Sequence, residues 1–175
     1  MPAVGIILGS DSDLPKVKEC FEILDEFGVE YEVLVSSAHR SPEMTVAWVK
    51  SARERGMKSI IAIAGGAAHL PGVVASHTTL PVIGIPIETN VAGGLDSILS
   101  ILQMPAGIPV GTMAAGKSGG TNAALYALSI LSVSDVSIAD KISSYRKKTE
   151  NKIEDKNRVI KETGLMNYIK KLEGK

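Results

Sequence analysis

The chain has 175 residues, of which 45% are apolar and 22% charged, a composition typical of one soluble globular domain rather than a disordered or membrane-spanning protein. Its formal net charge is zero, so the chain as a whole has no basic excess. The single cysteine, Cys20, excludes a disulfide framework within the chain and fits a reducing compartment.

The first apolar run, residues 3–8, is predicted to be a strand. No basic segment precedes it, and Gly9-Ser10 and two acidic residues follow it too early for a signal peptide. We therefore expect a cytoplasmic protein.

Apolar runs alternate with segments of helical period along most of the chain. The runs are residues 3–8, 31–35, 59–64, 81–86 and 108–113. Helices are expected over 16–27, 42–55, 70–77, 94–103 and 120–132. The first has an apolar face of Val17, Cys20, Phe21, Leu24 and Phe27, and the second one of Met44, Ala47, Trp48 and Ala52. This alternation predicts a doubly wound α/β domain, in which helices cover both faces of a five-stranded parallel sheet.

Loops that follow the predicted strands carry the candidate site, because ligands of such sheets bind outside the carboxyl ends of the strands. Residues 9–13, Gly-Ser-Asp-Ser-Asp, would expose N–H groups at a helix N-terminus to a phosphate, although plain N-capping is the alternative. In the next loop His39 suits proton transfer and Arg40 suits an anion. Surface polarity is the alternative interpretation of that pair.

The third loop, residues 64–72, contains Gly65 and Gly66, which would let a ligand ring lie against bare backbone. It also contains His69, which the topology would bring near His39. The alternative is a glycine-rich turn with an incidental histidine. His77, at a predicted helix end, is interpreted as structural.

Residues 111–118, GTMAAGKS, match the phosphate-binding loop of P-loop NTPases. In those proteins a helix begins at Gly-Lys-Ser, whereas here Gly119 and Gly120 follow at once and are poor interior helix residues. No later apolar run ends in an Asp that would bind Mg²⁺. We therefore interpret the segment as the last strand-to-helix turn, and leave open whether Lys117 contacts a ligand or a neighbouring subunit.

Residues 134–175 have helical composition and are basic. From Lys141 onward there are 11 Lys and Arg against 5 Asp and Glu, and residues 1–140 hold 8 against 14. The mixed charges lack the interleaved aromatic residues of single-strand binders, so we expect solvated or subunit-docking helices, with neither nucleic acid nor membrane as partner. Residues 1–133 are predicted to be the catalytic α/β domain. The remainder is predicted to be a helical extension of it or a segment that docks on a neighbouring subunit.

Six segments together resemble the PurE family of purine biosynthesis. They are GSDSD, SSAHRSPE, AGGAAHLPG, LPVIGIPI, GGLDSILSILQMP and GKSGGTNAAL, in the family's order and spacing over residues 3–132. The resemblance implies a flavodoxin-like three-layer fold and a homo-octamer with active sites at subunit contacts. It also implies transfer of a carboxylate from the exocyclic nitrogen of an aminoimidazole ribonucleotide to ring carbon C4, without ATP, metal or organic cofactor.

By that resemblance His39 is the general acid and base. The implied substrate-binding residues are Gly9, Ser10, Ser12, Asp13, Ser37, Ala38, Arg40, Gly66, Ala67, His69 and Leu70. Ala38, Ala67, Ala68 and Leu70 would form a small apolar cage around CO2. Part of the family uses free CO2 instead and typically has Lys after the histidine, so Arg40 and His69 favour the mutase. The segments ETN (88–90) and GGTNAA (119–124) depart from the family's usual residues.

Two other functions for this fold are less compatible with the sequence. A receiver-like signalling domain needs an Asp after its third strand, where this chain has Ala-Gly-Gly. A dinucleotide-binding oxidoreductase needs Gly-x-Gly-x-x-Gly after its first strand, where this chain has GSDSD. A non-catalytic nucleotide-binding protein or a structural oligomer stays open as an alternative.

Overall fold

The computed structural model describes residues 1–174, and the five predicted strands form one parallel sheet. The strands are β1 (Val4–Leu8), β2 (Tyr31–Val35), β3 (Ser59–Ala64), β4 (Val82–Pro86) and β5 (Gly111–Thr112). Their order is β2-β1-β3-β4-β5, the flavodoxin-like order, so the winding reverses between β1 and β3. The predicted fold class is therefore confirmed.

Helices cover both faces of the sheet. A 3-10 helix (Asp11–Val17) leads into α1 (Lys18–Phe27), and the chain continues with α2 (Pro42–Ser51), α3 (Leu70–Ser76), α4 (Leu95–Leu102), α5 (Gly116–Ser132), α6 (Val136–Thr163) and α7 (Leu165–Glu173). Side chains of α1, α5 and the start of α6 pack in one core with Ile6 of β1, whereas α2, α3 and α4 pack in a second core with Ile7. The sheet thus lies between two helical layers.

Continuous apolar runs explain why β1, β3 and β4 are central strands. Every residue of these three strands is buried, because each strand has a helical layer on both of its faces. Gly84 in β4 has no room for a side chain, since a Cβ there would lie 2.5 Å from the side chain of Ile101. The close approach of α4 to the sheet therefore depends on this glycine.

Two predicted details differ in the structure. The fifth strand has two residues rather than six, because Pro109 lies within the predicted run and cannot donate a ladder hydrogen bond. The predicted apolar face of α2 is confirmed for Ala52, which is buried, and for Trp48, which packs against the core, but Met44 and Ala47 are exposed. Thr45 and Val49 are buried in their place. Apolar residues occur on more than one side of this helix, and period alone does not select the docked side.

The start of α5 was also predicted wrongly. This helix begins at Gly116, within the Gly-Lys-Ser segment, and includes Gly119 and Gly120 as buried residues. A Cβ on Gly119 would overlap the carbonyl oxygen of Ala114, and one on Gly120 would lie 3.3 Å from the carbonyl oxygen of Val17. The contact at position 119 therefore requires glycine, whereas the contacts at position 120 leave only little room for a side chain, although both glycines have poor helix propensity.

The C-terminal segment begins as part of the core and then leaves it. Ile138 and Ile142 of α6 are buried in the α1/α5 core, and the ring of Tyr145 lies 5.9 Å from that of Phe27. Beyond that point no residue in 150–174 is buried. Among residues 1–174, no helix combines the length and apolarity needed to cross a membrane.

Candidate active site

A cleft of about 430 Å³ lies at the carboxyl ends of β1, β2, β3 and β4, where the winding reverses. Nine of the predicted site residues line it: Gly9, Ser10, Asp13, Ser37, Ala38, His39, Arg40, His69 and Leu70. Ser12, Gly66 and Ala67 lie in the same loops but not on its wall. The three loops singled out in the sequence therefore meet in one place.

Sequence reasoning did not assign four further wall residues, namely Lys16, Ile87, Glu88 and Thr89. The last three follow β4 in sequence, so the rule that selected the earlier loops could have found them. Lys16 carried no comparable signal, because it lies inside a helical segment; its ammonium group lies 3.3 Å from the Asp13 carboxylate.

The first loop combines a helix cap with two cations. Ser10 caps the 3-10 helix, since its Oγ accepts a hydrogen bond of 3.4 Å from the Ser12 N–H and lies 2.8 Å from the Ser12 hydroxyl. Arg40 reaches across from the second loop, and its Nη2 donates to the carbonyl oxygen of Gly9 at 3.2 Å. Because Lys16 also lines the cleft, its wall carries two cations and is suited to an anion.

Two histidines also meet in the cleft. Nε2 of His39 lies 2.6 Å from Nδ1 of His69, and the rings stand nearly perpendicular, at 86°. A contact of this length between two ring nitrogens is a hydrogen bond in which one nitrogen donates and the other accepts. Both side chains are exposed in the isolated chain, so their protons are accessible from the cleft.

Hydroxyl groups hold the loop that carries His39. The Oγ of Ser37 accepts from the backbone N–H groups of His39 and Arg40, at 3.4 and 3.3 Å. The N–H of Ser37 in turn donates to the Ser41 Oγ at 3.1 Å. Below them the buried hydroxyl of Ser36 lies 2.8 Å from that of Thr45 on α2. The imidazole is thus positioned by a short loop tied to the helix that follows it.

The wall opposite the loop of His39 is small and apolar. Ala64, Ala68 and Leu70 line it and are buried, and Ile87 lies behind Gly65, where a Cβ would be 3.1 Å from that of Ile87. The loop has an unusual backbone, since φ is +66° at Gly66 and +44° at Ala68. Close approach of a ligand to this backbone is therefore sterically open.

The GTMAAGKS segment does not present its lysine to the cleft. Nζ of Lys117 lies 3.5 Å from the Glu19 carboxylate, on the α1 side of the protein. The Glu88 carboxylate lies beside the first residue of α5, with Oε1 2.7 Å from where a Gly116 Cβ would be. This places a negative charge near the N-terminus of α5, where an anion is favoured by the helix dipole.

Asp96 lies outside the cleft wall but is bound by a residue of that wall. The Thr89 hydroxyl donates to Asp96 at 2.6 Å, which lowers the pKa of that carboxyl below its ordinary value. Among the residues that the structure describes, no group of three or more His, Cys, Asp or Glu side chains has a metal-binding arrangement.

Comparison with known proteins identifies the family. The family model described as AIR carboxylase matches residues 3–152. The chain is similar to the N5-carboxyaminoimidazole ribonucleotide mutases of Pyrococcus horikoshii (53% identity over 168 residues, 96% of this chain and 94% of the relative) and Thermotoga maritima (48% over 173 residues, 99% and 100%). It also superposes on the crystal structure of Treponema denticola PurE, with a TM-score of 0.81 and 32% identity over 90% of this chain and 98% of that one. The chain therefore belongs to the AIR carboxylase (PurE) family, as its six loop and helix segments predicted.

Proposed function

We propose that this protein is a 5-(carboxyamino)imidazole ribonucleotide mutase of purine biosynthesis. It would move a carboxylate from the exocyclic nitrogen to C4 of aminoimidazole ribonucleotide without ATP. The observation that carries the proposal is the 2.6 Å contact between His39 and His69 beside a wall of Ala64, Ala68 and Leu70. Relatives named as this mutase, about half identical over nearly the whole chain, support the same reaction.

The chemistry requires one acid-base group that acts twice. His39 protonates the carbamate nitrogen, the C–N bond breaks with its electron pair left on nitrogen, and CO2 is released. The electron-rich ring then attacks this CO2 through C4, and a new C–C bond forms. The neutral imidazole of His39 removes the proton from C4, which restores the aromatic ring and the starting state of the enzyme. No net proton or electron is consumed.

The nucleotide would be anchored at the end of the cleft away from the histidines. Arg40, Ser10 and Asp13 would hold the phosphate and ribose, and the neighbouring Lys16 adds a second cation. Binding energy from this end would fix the alignment of the reacting atoms, which is how remote contacts accelerate a chemical step.

The cleft is open in the isolated chain, because His39, Arg40 and His69 are all exposed. Released CO2 would escape from an open cleft, so the reaction needs a further wall. We therefore propose that a second subunit closes the site within a homo-octamer. In this proposal the basic C-terminal segment docks on the acidic body of a neighbour, and the enzyme works in the cytoplasm without a nucleic-acid or membrane partner.

The second candidate is a carboxylase that joins free CO2 to aminoimidazole ribonucleotide. This candidate is supported by the name of the matched family model, AIR carboxylase. The pair of Arg40 and His69, however, is the pattern of the mutase branch.

One experiment separates the two reactions. The purified chain is given the carbamate nucleotide without ATP, or aminoimidazole ribonucleotide with bicarbonate, and formation of the C4 carboxylate is followed. The mutase should use the carbamate at low bicarbonate. Turnover only with the amine and high bicarbonate would establish the carboxylase, and turnover with neither would refute both.

A further inference from the structure

The first turn of α4 contacts two loops of the cleft. Asp96 accepts the hydroxyl hydrogen of Thr89 at 2.6 Å, and the next residue, Ser97, accepts the backbone N–H of Gly66 at 2.9 Å. One turn further, the Ser100 hydroxyl donates to the carbonyl oxygen of Gly66 at 3.5 Å. Both polar groups of one glycine are thus bonded by one helix. Ser97 is fully buried, whereas Ser100 is exposed.

We propose that Ser97 is a positioning residue that holds the loop of residues 65–69 against the reacting atoms. The inference rests on the proposed mutase reaction and extends it to a residue outside the cleft wall. Ser97 does not line the cleft, so it acts through Gly66 and not on the substrate.

Backbone strain is the reason that this loop needs an external hold. Positive φ at Ala68, a residue with a side chain, is a conformation that costs free energy and persists only where surrounding contacts enforce it. Within the loop the N–H of Ala68 donates to the carbonyl oxygen of Gly65 at 3.2 Å, which leaves the N–H of Gly66 to a partner outside. The Ser97 hydroxyl is that partner, and without it a part-buried donor would be unsatisfied.

The loop matters to the reaction because it ends in His69. That histidine follows Ala68 directly and contacts His39, while Ala68 itself forms part of the apolar wall. Relaxation of the strained turn would withdraw the wall and the second imidazole together. The expected consequence is loss of CO2 between the two half-reactions rather than loss of nucleotide binding, since the anion-binding end belongs to other loops.

The test measures how consumed carbamate nucleotide divides between C4 carboxylate and free amine nucleotide, after subtraction of the decarboxylation in an enzyme-free blank. Ser97→Ala should raise the released share about fivefold, the factor that corresponds to one ordinary hydrogen bond. It should also speed hydrogen exchange of the Gly66 amide by a similar factor. Ser100→Ala, at an exposed residue that is expected to tolerate truncation, should show the same changes to a smaller degree.

Ser129→Ala is the matched control, because its hydroxyl bonds only the Leu125 carbonyl within α5. Its partition should equal that of the unaltered enzyme. The inference would be overturned if Ser97→Ala and the control divided the substrate equally between the two products and exchanged the Gly66 amide at the same rate. If Ser97→Ala does not fold, the test is the rate of hydrogen exchange at the Gly66 amide in the unaltered protein. A rate typical of open loops would overturn the inference. Failure of the unaltered enzyme to make the C4 carboxylate would instead refute the proposed function. In that case the rate of hydrogen exchange at the Gly66 amide would still test whether Ser97 holds the loop.

Discussion

Nε2 of His39 and Nδ1 of His69 share a hydrogen bond of 2.6 Å across the cleft, although the residues lie 30 positions apart in the chain. One of the two facing nitrogens must lack a proton for this bond to form. The ring of His69 can therefore fix the orientation of the His39 imidazole, which would give its proton to a substrate. We propose that His39 carries the acid-base step, as the family resemblance implies, and that His69 supplies an orienting contact.

Replacement of His39 tests the acid-base assignment. His39→Asn keeps a polar, hydrogen-bonding side chain but removes the ionisable ring, so turnover should fall by about 10²–10⁴-fold, the usual contribution of general acid-base catalysis. Nucleotide affinity should change little, because Arg40 and Ser10 are untouched. Steady-state assay and calorimetric titration measure the two quantities.

His77→Asn is the control for this substitution, because His77 is exposed at the C-terminal end of α3, outside the cleft. It should leave both turnover and affinity unaltered. A His39→Asn variant with near-normal rate would refute the role given to His39.

The lysine of the GTMAAGKS segment should be dispensable. Lys117 is paired with Glu19 at the surface, with 78% of its side chain exposed, and such pairs stabilise proteins by at most about 1 kcal/mol. Lys117→Ala should therefore retain turnover and nearly all thermal stability. ATP with Mg²⁺ should give no thermal shift, whereas tight ATP binding that the substitution abolishes would restore the P-loop interpretation.

The two glycines of α5 should respond differently to alanine. At Gly119 a Cβ would overlap the Ala114 carbonyl, so backbone must move, and overpacking of this kind costs about 1–3 kcal/mol. At Gly120 the nearest atom would be 3.3 Å away, and the gain in helix propensity of about 1 kcal/mol offsets a small adjustment. Denaturant unfolding should show a clear loss for Gly119→Ala and little change for Gly120→Ala. Equal losses of stability would mean that the two positions are equally crowded, which would contradict the distances above.

The fold could be predicted from sequence because its central strands are continuous apolar runs between helical segments. What failed was local. Gly119 and Gly120 looked like helix breakers, since propensity does not report that the backbones of Ala114 and Val17 lie against them. Met44 on α2 was assigned to the core by period, which cannot choose between two apolar sides of a short helix.

The part of the candidate site that lies in loops after strands could be predicted from the sequence. His39, Arg40 and His69 lie in the loops that follow β2 and β3, and topology alone brings these loops together. Ser97 lies inside α4 and had no such signal. Its importance depends on a contact with Gly66, 31 residues earlier, which becomes visible only when the helix is docked.

Cys20 should be unreactive in the folded protein. The residue is fully buried, and burial raises the pKa of its thiol from 9.0 to about 12. The thiolate needed for alkylation is therefore scarce at pH 8 in the folded state and becomes available on unfolding. Iodoacetamide labelling should follow the unfolding transition.

Above about pH 9 the unfolded thiol ionises first, so this residue should lower stability as pH rises towards 12.

Truncation tests the proposed role of the C-terminal segment, and the structure indicates where to cut. Removal of everything after Ser132 would strip Ile138 and Ile142 from the core, so loss of the oligomer could then reflect loss of folding. A stop after Thr149 keeps these residues and Tyr145, and removes only residues 150–175, of which none in 150–174 is buried.

The shorter chain should therefore fold. Its far-UV circular dichroism should show that the retained helical residues are still helical. Apolar side chains on the removed part are each more than half exposed in the isolated chain and so are available to contact another surface: Ile153, Leu165, Met166 and Leu172. If a neighbouring subunit supplies that surface, sedimentation should show a smaller particle for the truncated chain, and turnover should fall because the cleft loses its further wall. An unchanged particle mass with unchanged stability and turnover would mean that this segment is a solvated appendage and that subunit contacts lie elsewhere.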